Sequence, residues 1–208
     1  FDKSKLEEII KNFLGSIPSK PPSKVFKPPI LPPFPEGISK HIVPVSKRPV
    51  SATRMTFPLA IDINLENIKK IQLACELLES RLRKVMIQKT LSTRGIGVSY
   101  EFPYYPNLVS PWMIIQFQVE FERIDEMKFI LDQIKTFQEE LVSEEELQYG
   151  LELLRLEGES WRNHGEYWLA AYANDVLWGW NPAAQCFSAS KQKITPEEIR
   201  ALFKNMIN

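Results

Sequence analysis

Two histidines, two cysteines and one glycine-pinched turn are the residues of this 208-residue chain whose types could serve chemistry. Hydrolysis at zinc through His-Glu-x-x-His, or its inverted form His-x-x-Glu-His, needs two imidazoles on successive turns of one helix face and a carboxylate to activate water. His41 and His164 offer neither spacing, and the chain is expected to bind no metal and to carry no catalytic residue of its own. His164 sits in Asn163-His164-Gly165-Glu166 and reads as structural or solvent-facing. Cys75, inside an apolar helical pattern, and Cys186, beside Phe187, fit neither a disulfide framework nor a metal spacing and read as buried thiols. No Gly-x-Ser-x-Gly elbow, Walker loop or Cys-His pairing is present. What remains is the run from Leu91 to Phe102, Leu-Ser-Thr-Arg-Gly-Ile-Gly-Val-Ser-Tyr-Glu-Phe. Gly95 and Gly97 let the backbone leave helical geometry sharply, which sets Arg94 and Tyr100 at the junction of a helix and a strand. The pair lacks a third glycine and follows a helix, so it is no dinucleotide fingerprint.

The elements that must hold this turn are legible from punctuation and period. Ser4 with Glu7 reads as a capping box opening a short amphipathic helix, whose stripe Leu6, Ile9, Ile10, Phe13 and Leu14 ends at Gly15. Residues 18 to 35 carry eight prolines and read as a stiff extended connector, with a ligand for a proline-recognition module as the alternative. Strand patterns follow at 39–46 and 51–61, the second interrupted by Pro58, which implies an edge or a bulge. Asn64 caps a helix to about Lys89 with Ile68, Ile71, Cys75, Leu78, Leu82 and Val85 on one face. After the turn come strands at about 97–105 and 112–121, the latter alternating Met113, Ile115, Phe117, Val119 and Phe121 against Gln116, Gln118 and Glu120. The remainder is helical: 125–141, a capping box at Ser143 to Glu146 opening a helix to about Arg162, a break at Gly165, a helix over 166–178, and a last helix opened by Thr195-Pro196-Glu197-Glu198. Strands early and helices late predict an α+β two-layer sandwich, one mostly antiparallel sheet covered on one face.

Composition narrows the partners. Twenty-six basic residues balance 26 acidic ones, which gives no net charge to recruit nucleic acid or an anionic membrane. The longest apolar runs are of strand length, short of the roughly 20 residues that span a bilayer, and no basic-then-apolar leader opens the chain. Beginning at Phe1-Asp2 and stopping straight after a helical pattern, the chain reads as a piece of a longer polypeptide. Its organisation is expected to be a short helix and proline-rich connector over 1–35 and an α+β domain over 36–208, together one structural unit.

The order of motifs resembles the second-type, non-catalytic domain of the M16 zinc metallopeptidases, the pitrilysin, insulin-degrading and mitochondrial processing peptidase relatives. Phe1-Asp2, a helix and Phe13-Leu-Gly-Ser-Ile-Pro18 are similar to the family's Gly-Asp-Phe-Asp strand end, helix and Leu-Gly-x-Leu-Pro exit. Phe34-Pro-Glu-Gly-Ile38 resembles its approach to the next strand, and Gly97-Val-Ser-Tyr100 its Leu-Gly-x-x-Tyr turn. Ser143 to Leu147, then Glu159 to Arg162, Asn163, Tyr167, Trp168 and Leu169, and finally Ile194-Thr-Pro-Glu-Glu198, are similar to its later helix openings and to its Glu, Arg, Asn and Tyr-Trp-Leu pattern.

The resemblance implies a substrate-enclosing domain of a peptide-degrading or peptide-processing zinc endopeptidase. Its partners would be a peptide substrate and a catalytic M16 domain or half, on the same chain or a partner subunit, and that half would hold the zinc. In the family an arginine and a tyrosine of the turn region donate to the peptide backbone near the scissile bond. Tyr100 matches that tyrosine, whereas the arginine position falls on Thr93 and Arg94 stands one residue beyond it. The other reading of Tyr100 is a core-edge aromatic, and of Arg94 a cation favouring a helix C-terminus. Trp161, Arg162, Asn163, Tyr167 and Trp168 read as residues that cap and pack the helix break. Phe102, Tyr104, Tyr105 and Trp112 could line an apolar wall or belong to the core. A structural or scaffold M16 homologue without peptidase activity is the alternative function, motivated by the displaced arginine. A third, an interaction module unrelated to the family, is also carried.

Overall fold

A computed structural model describes residues 2–18, 37–43, 50–90, 95–102, 111–120, 125–186 and 193–204. Two units divide the chain, one spanning residues 1–30 and the other residues 31–208. In the first, helix α1 (Lys3–Phe13) is capped by Asp2, whose Oδ1 accepts from the Ser4 and Lys5 backbone N–H groups at 3.0 and 3.3 Å. The expected Ser4–Glu7 box is therefore corrected: an extended Asp2 lies ahead of Ser4 and reaches the first orphan donors of the helix before Ser4 can. No residue of α1 is buried within its unit, and Phe13 stays 72% exposed.

The second unit contains β1 (Val50–Pro58), α2 (Leu65–Thr90), β2 (Gly97–Glu101), β3 (Trp112–Glu120), α3 (Asp125–Glu139), α4 (Glu144–Trp161), α5 (Gly165–Trp178), the single-turn α6 (Pro182–Gln185) and α7 (Pro196–Lys204). The strands form an antiparallel sheet in the order β1-β3-β2. This is the α+β arrangement, with the helices packed on one face. Of the expected strand at 39–46, residues 39–43 are not in a strand, and 44–46 lie outside the described residues. Ile42 and Val43 are 79% and 74% exposed, and Pro44 cannot donate to a ladder, so this stretch has no sheet face to bury. Pro58 closes β1, which lies at one edge of the three strands, where its missing N–H costs no ladder bond.

Register gives the sheet two unlike faces. On the helix side Met55, Ile115 and Val98 form one cross-strand row, and Phe57, Met113 and Tyr100 the next. Met113, Ile115 and Phe117 are buried there, as the alternation predicts. On the other face Ala52, Arg54, Thr56, Ser99, Glu101, Gln116 and Gln118 are exposed. Ile114 breaks the alternation, because it is 1% exposed on this outer face. Arg54 on β1 and Glu101 on β2 pair at 3.4 Å, and the Trp112 indole donates to Glu101 at 3.0 Å; Ile114 lies between the register positions of this bridge.

Helix α2 is the hub. The Asn64 side chain caps it by accepting from the Asn67 N–H at 2.9 Å. Ile68, Ile71, Cys75, Leu78 and Leu82 are buried as the period predicts, and Leu73, Ala74 and Leu77 are buried as well. The wider buried surface reflects contact on two sides, with the sheet and with α4 and α7. Gly150 of α4 lets the two helices approach: a Cβ there would stand 3.0 Å from Leu73 Cδ1 and 3.1 Å from Leu77 Cδ2. Phe137 of α3 and Phe203 of α7 meet with ring centroids 4.7 Å apart. Each fully buried side chain of this size contributes about 1.5–3 kcal/mol relative to exposure.

The starts of α4 and α7 behave as read. Ser143 and Glu146 form a reciprocal capping box at α4. Thr195 Oγ1 accepts from Glu198 N at 3.4 Å and Glu198 Oε2 accepts from Thr195 N at 2.9 Å at the start of α7. Gly179 ends α5 at φ 69, the left-handed region that suits glycine.

Candidate functional site

The turn that sequence singles out delivers the chain from α2 into β2. Gly95 has φ +52, a left-handed conformation open to glycine at little cost, and Ile96 beside it is buried. Arg94 lies outside the described residues, as do Tyr104 and Tyr105. Among the described residues β2 pairs with β3 on one side only, and its Val98 N–H donates to Glu79 Oε2 of α2 at 2.9 Å. Glu79 is itself ion-paired with Arg83 one turn along the helix. A carboxylate thus caps a donor of the edge strand and fixes β2 to α2 immediately after the turn.

Tyr100 stands two residues further on, on the helix-facing side of β2, with its ring packed against the core and half-buried. Gln72 Nε2 donates to the Tyr100 hydroxyl oxygen at 2.6 Å. The other end of that amide, Gln72 Oε1, is buried without a hydrogen-bond partner. Tyr100 leans on Phe102, with ring centroids 5.2 Å apart, and Phe102 meets Trp180 edge-on at 6.4 Å. Trp180 stacks on Trp178 at 5.8 Å. The aromatic group at the end of β2 therefore continues through Trp180 and Trp178. Trp112 is instead on the other face with Glu101.

The remaining candidates are dispersed. His41 is exposed, with Nε2 3.0 Å from Ser39 Oγ. His164 occupies the N-cap position of α5 without capping it, and its ring lies 5.6 Å from that of Trp161. Among the described residues no group of three or more His, Cys, Asp and Glu side chains, about either histidine or elsewhere, could hold a metal. The described residues do not fit a zinc ion.

Cys75 and Cys186 are buried free thiols, and burial pushes the Cys75 thiol far above its ordinary range, with Glu79 and Glu76 adding to the effect. Such a thiol is inert as a nucleophile. Burial, then Glu79 and Glu157, also raises the Glu76 carboxyl. Lys69 is buried with its ammonium donating to Ala184 O at 2.7 Å, which ties α6 to α2; burial lowers its pKa.

The residues about Gly165 act on the helix break. The Trp168 indole donates to Arg162 O at 2.9 Å, Asn163 Nδ2 to Glu159 O at 3.3 Å and the Tyr167 hydroxyl to Pro182 O at 3.2 Å. Sequence reasoning missed Gln72 and Glu79. The available signal was a glutamine inside the apolar run Ile71-Gln72-Leu73-Ala74-Cys75 and a carboxylate one turn beyond Cys75, both on a helix read only for its apolar face.

These features define a helix-backed α+β domain built around a glycine turn and a tyrosine at a sheet edge. The model of the family described as the Peptidase M16 inactive domain matches residues 1–154, and the chain belongs to this family. No curated protein matches the sequence. Among solved structures, the periplasmic protease PqqL from Escherichia coli superposes with a TM-score of 0.66 at 17% identity, over 98% of this chain and 22% of that one. A protein assigned as an M16-like peptidase from Alicyclobacillus acidocaldarius gives 0.65 at 12% identity, over 99% and 49%. The ferredoxin protease FusC, solved as a mutant in complex with Arabidopsis ferredoxin, gives 0.60 at 13% identity, over 100% and 23%. At such identities the likeness concerns the fold. The chain spans between about a fifth and a half of the length of these solved relatives.

Proposed function

We propose that this domain is a substrate-enclosing, non-catalytic part of an M16 metalloendopeptidase, pairing with a histidine-bearing catalytic half that holds zinc and cuts the peptide. Zinc in that half would polarise the scissile carbonyl and activate water. This chain would supply wall and grip. The observation that carries the reading is Tyr100 on an edge strand, directly after the glycine turn, with its hydroxyl held by Gln72 and its strand fixed by Glu79. A phenol oriented in this way can donate to a peptide carbonyl whose oxygen gains charge in the transition state. Arg94 would contribute from the preceding turn.

Cleavage of a fluorogenic peptide by the assembled peptidase tests both residues. Tyr100→Phe is expected to lower kcat by roughly tenfold or more, since removing one donor to a developing oxyanion costs about 100- to 1,000-fold in well-formed oxyanion holes. Arg94→Ala should weaken cleavage in the same direction. Unchanged kcat and KM in both variants would remove the proposed roles.

A scaffold without peptidase activity is the second reading, favoured by Thr93 standing where the family's arginine falls. An assembled complex in which no partner domain carries a histidine pair, and which cuts no peptide, would establish it.

A further inference from the structure

We infer that Gln72 is a positioning residue for Tyr100, an inference that rests on the proposed substrate contact. Two observations on one side chain of α2 lead to it. The first is polarity: Gln72 Nε2 donates to the tyrosine oxygen at 2.6 Å, so this bond uses a lone pair of the phenol and does not claim the phenol's own hydrogen. A tyrosine held in this sense is set to act as a donor. The opposite amide orientation would place an acceptor against the hydroxyl and claim that hydrogen.

The second is the orphan: Gln72 Oε1 is buried with no partner. Stability alone disfavours such a group, because an apolar residue of similar size would fill the space without an unsatisfied acceptor. Turning the amide over would let Oε1 accept from the phenol and leave both N–H groups without this bond, exchanging the orphan acceptor for an orphan donor and claiming the tyrosine's hydrogen. The observed polarity instead presents a donating tyrosine. Phe102 fixes the other side of the ring at 5.2 Å, so the hydroxyl has both a direction and a place. The residue acts through Tyr100 and does not itself touch the peptide.

The test is a double-mutant cycle on the assembled peptidase with Gln72→Leu, Tyr100→Phe and both together, read as kcat and KM for one peptide and as the thermal midpoint of each variant. Gln72→Leu is expected to lower kcat about fivefold to tenfold at unchanged KM, a loss of orientation and not of affinity, with a midpoint equal to or above the parent's. In the Tyr100→Phe background the same change should do nothing further. Full multiplication of the two losses, or a loss in KM alone, would overturn the assignment. If Tyr100→Phe reduces kcat and Gln72→Leu does not, positioning by Gln72 is refuted while the tyrosine contact stands. If neither changes cleavage, the substrate contact fails and this inference with it. Should Gln72→Leu not fold, Gln72→Met, unbranched and of similar length, replaces it in the cycle with the same expected outcomes.

Discussion

Removing the charge of Glu146 should make this domain's stability lose much of its dependence on pH at the acid end. Arg81 of α2 meets Glu146 of α4 through two parallel bonds, Nε to Oε1 and Nη2 to Oε2, both at 2.8 Å. Its guanidinium also lies 4.2 Å over the Phe137 ring. The two side chains are 17% and 29% exposed, between a surface pair and a buried one. Arg81 first, and then the Ser143 backbone and hydroxyl, pull the Glu146 carboxyl from 4.5 down to about 2, against the opposing effect of burial. At about 1.4 kcal/mol per tenfold in proton affinity, that drop corresponds to roughly 3 kcal/mol, and partial exposure to solvent reduces it to ~2 kcal/mol. A depressed carboxyl stabilises the fold above its unfolded value, and the contribution is lost as pH falls from about 4.5 towards 2.

Glu146→Gln tests the charge with little else disturbed, because glutamine also serves at the third position of a capping box. Urea unfolding at pH 7 should show a loss of ~2 kcal/mol, or a fall in midpoint temperature of about 4–8 °C for a unit of this size. The difference between parent and variant should narrow below pH 4.5 and vanish near pH 2, where the parent carboxyl is protonated as well. Taking the difference cancels other carboxylates that titrate in the same window, including Glu198, which Lys70 lowers. A constant difference across roughly pH 2–7, or one below about 0.5 kcal/mol at pH 7, would refute the reasoning and mean that desolvation cancels the pair.

Two packing predictions follow. Gly150→Val should cost about 2–3 kcal/mol in urea unfolding, because branched methyl groups would enter space already held by Leu73 and Leu77, whereas Gly150→Ala should be near neutral as helix propensity offsets a tight Cβ. Ile114→Ala should cost about 2–4 kcal/mol although it lies on the outer face, while Arg54→Ala on the same face should cost under ~1 kcal/mol and lose that effect in high salt. Equal costs at Ile114 and Arg54 would mean that the bridge, and not the isoleucine, holds this face.

Much of the fold was legible because its signals are local. The capping boxes at Ser143 and Thr195, the cap at Asn64, the glycine stop at 179 and the period of two in β3 depend on neighbours within four residues. Errors arise where the deciding partner is distant or where two local signals compete. Ser4 loses the cap of α1 to Asp2, which sits two residues earlier and starts the helix at Lys3, so that Ser4 becomes one of the donors the cap serves. The pattern at 39–43 is apolar enough for a strand but pairs with none, and pairing is a long-range property. Ile114 is polar-side by period yet buried, on the face where the flanking strands carry the Arg54–Glu101 bridge at register positions on either side of it. The candidate site was half legible for the same reason. Tyr100 announces itself beside two glycines, but nothing in the local sequence says that Gln72, 28 residues earlier, will hold its hydroxyl.

This division also explains how one helix serves stability and site together. α2 directs Ile71, Cys75, Leu78 and Leu82 into the core, and from the flanks of the same surface Gln72 holds Tyr100 and Glu79 holds Val98. Two turns of helix separate Gln72 from Glu79, a rise of about 10 Å, against roughly 7 Å between Val98 and Tyr100 along the strand; the reach of the two long side chains absorbs the difference. β2 is consequently held at two points from one rigid element, and the glycine turn before it needs no rigidity of its own. Loosening α2 against α4 by Glu146→Gln lowers stability without moving Gln72 relative to Glu79, whereas cutting either tie removes one of the side-chain links from α2 to β2 and leaves the β2–β3 ladder in place. On the proposed function, peptide cleavage by the assembled peptidase and stability should therefore separate at Gln72 and Glu79 and fall together when α2 itself unfolds.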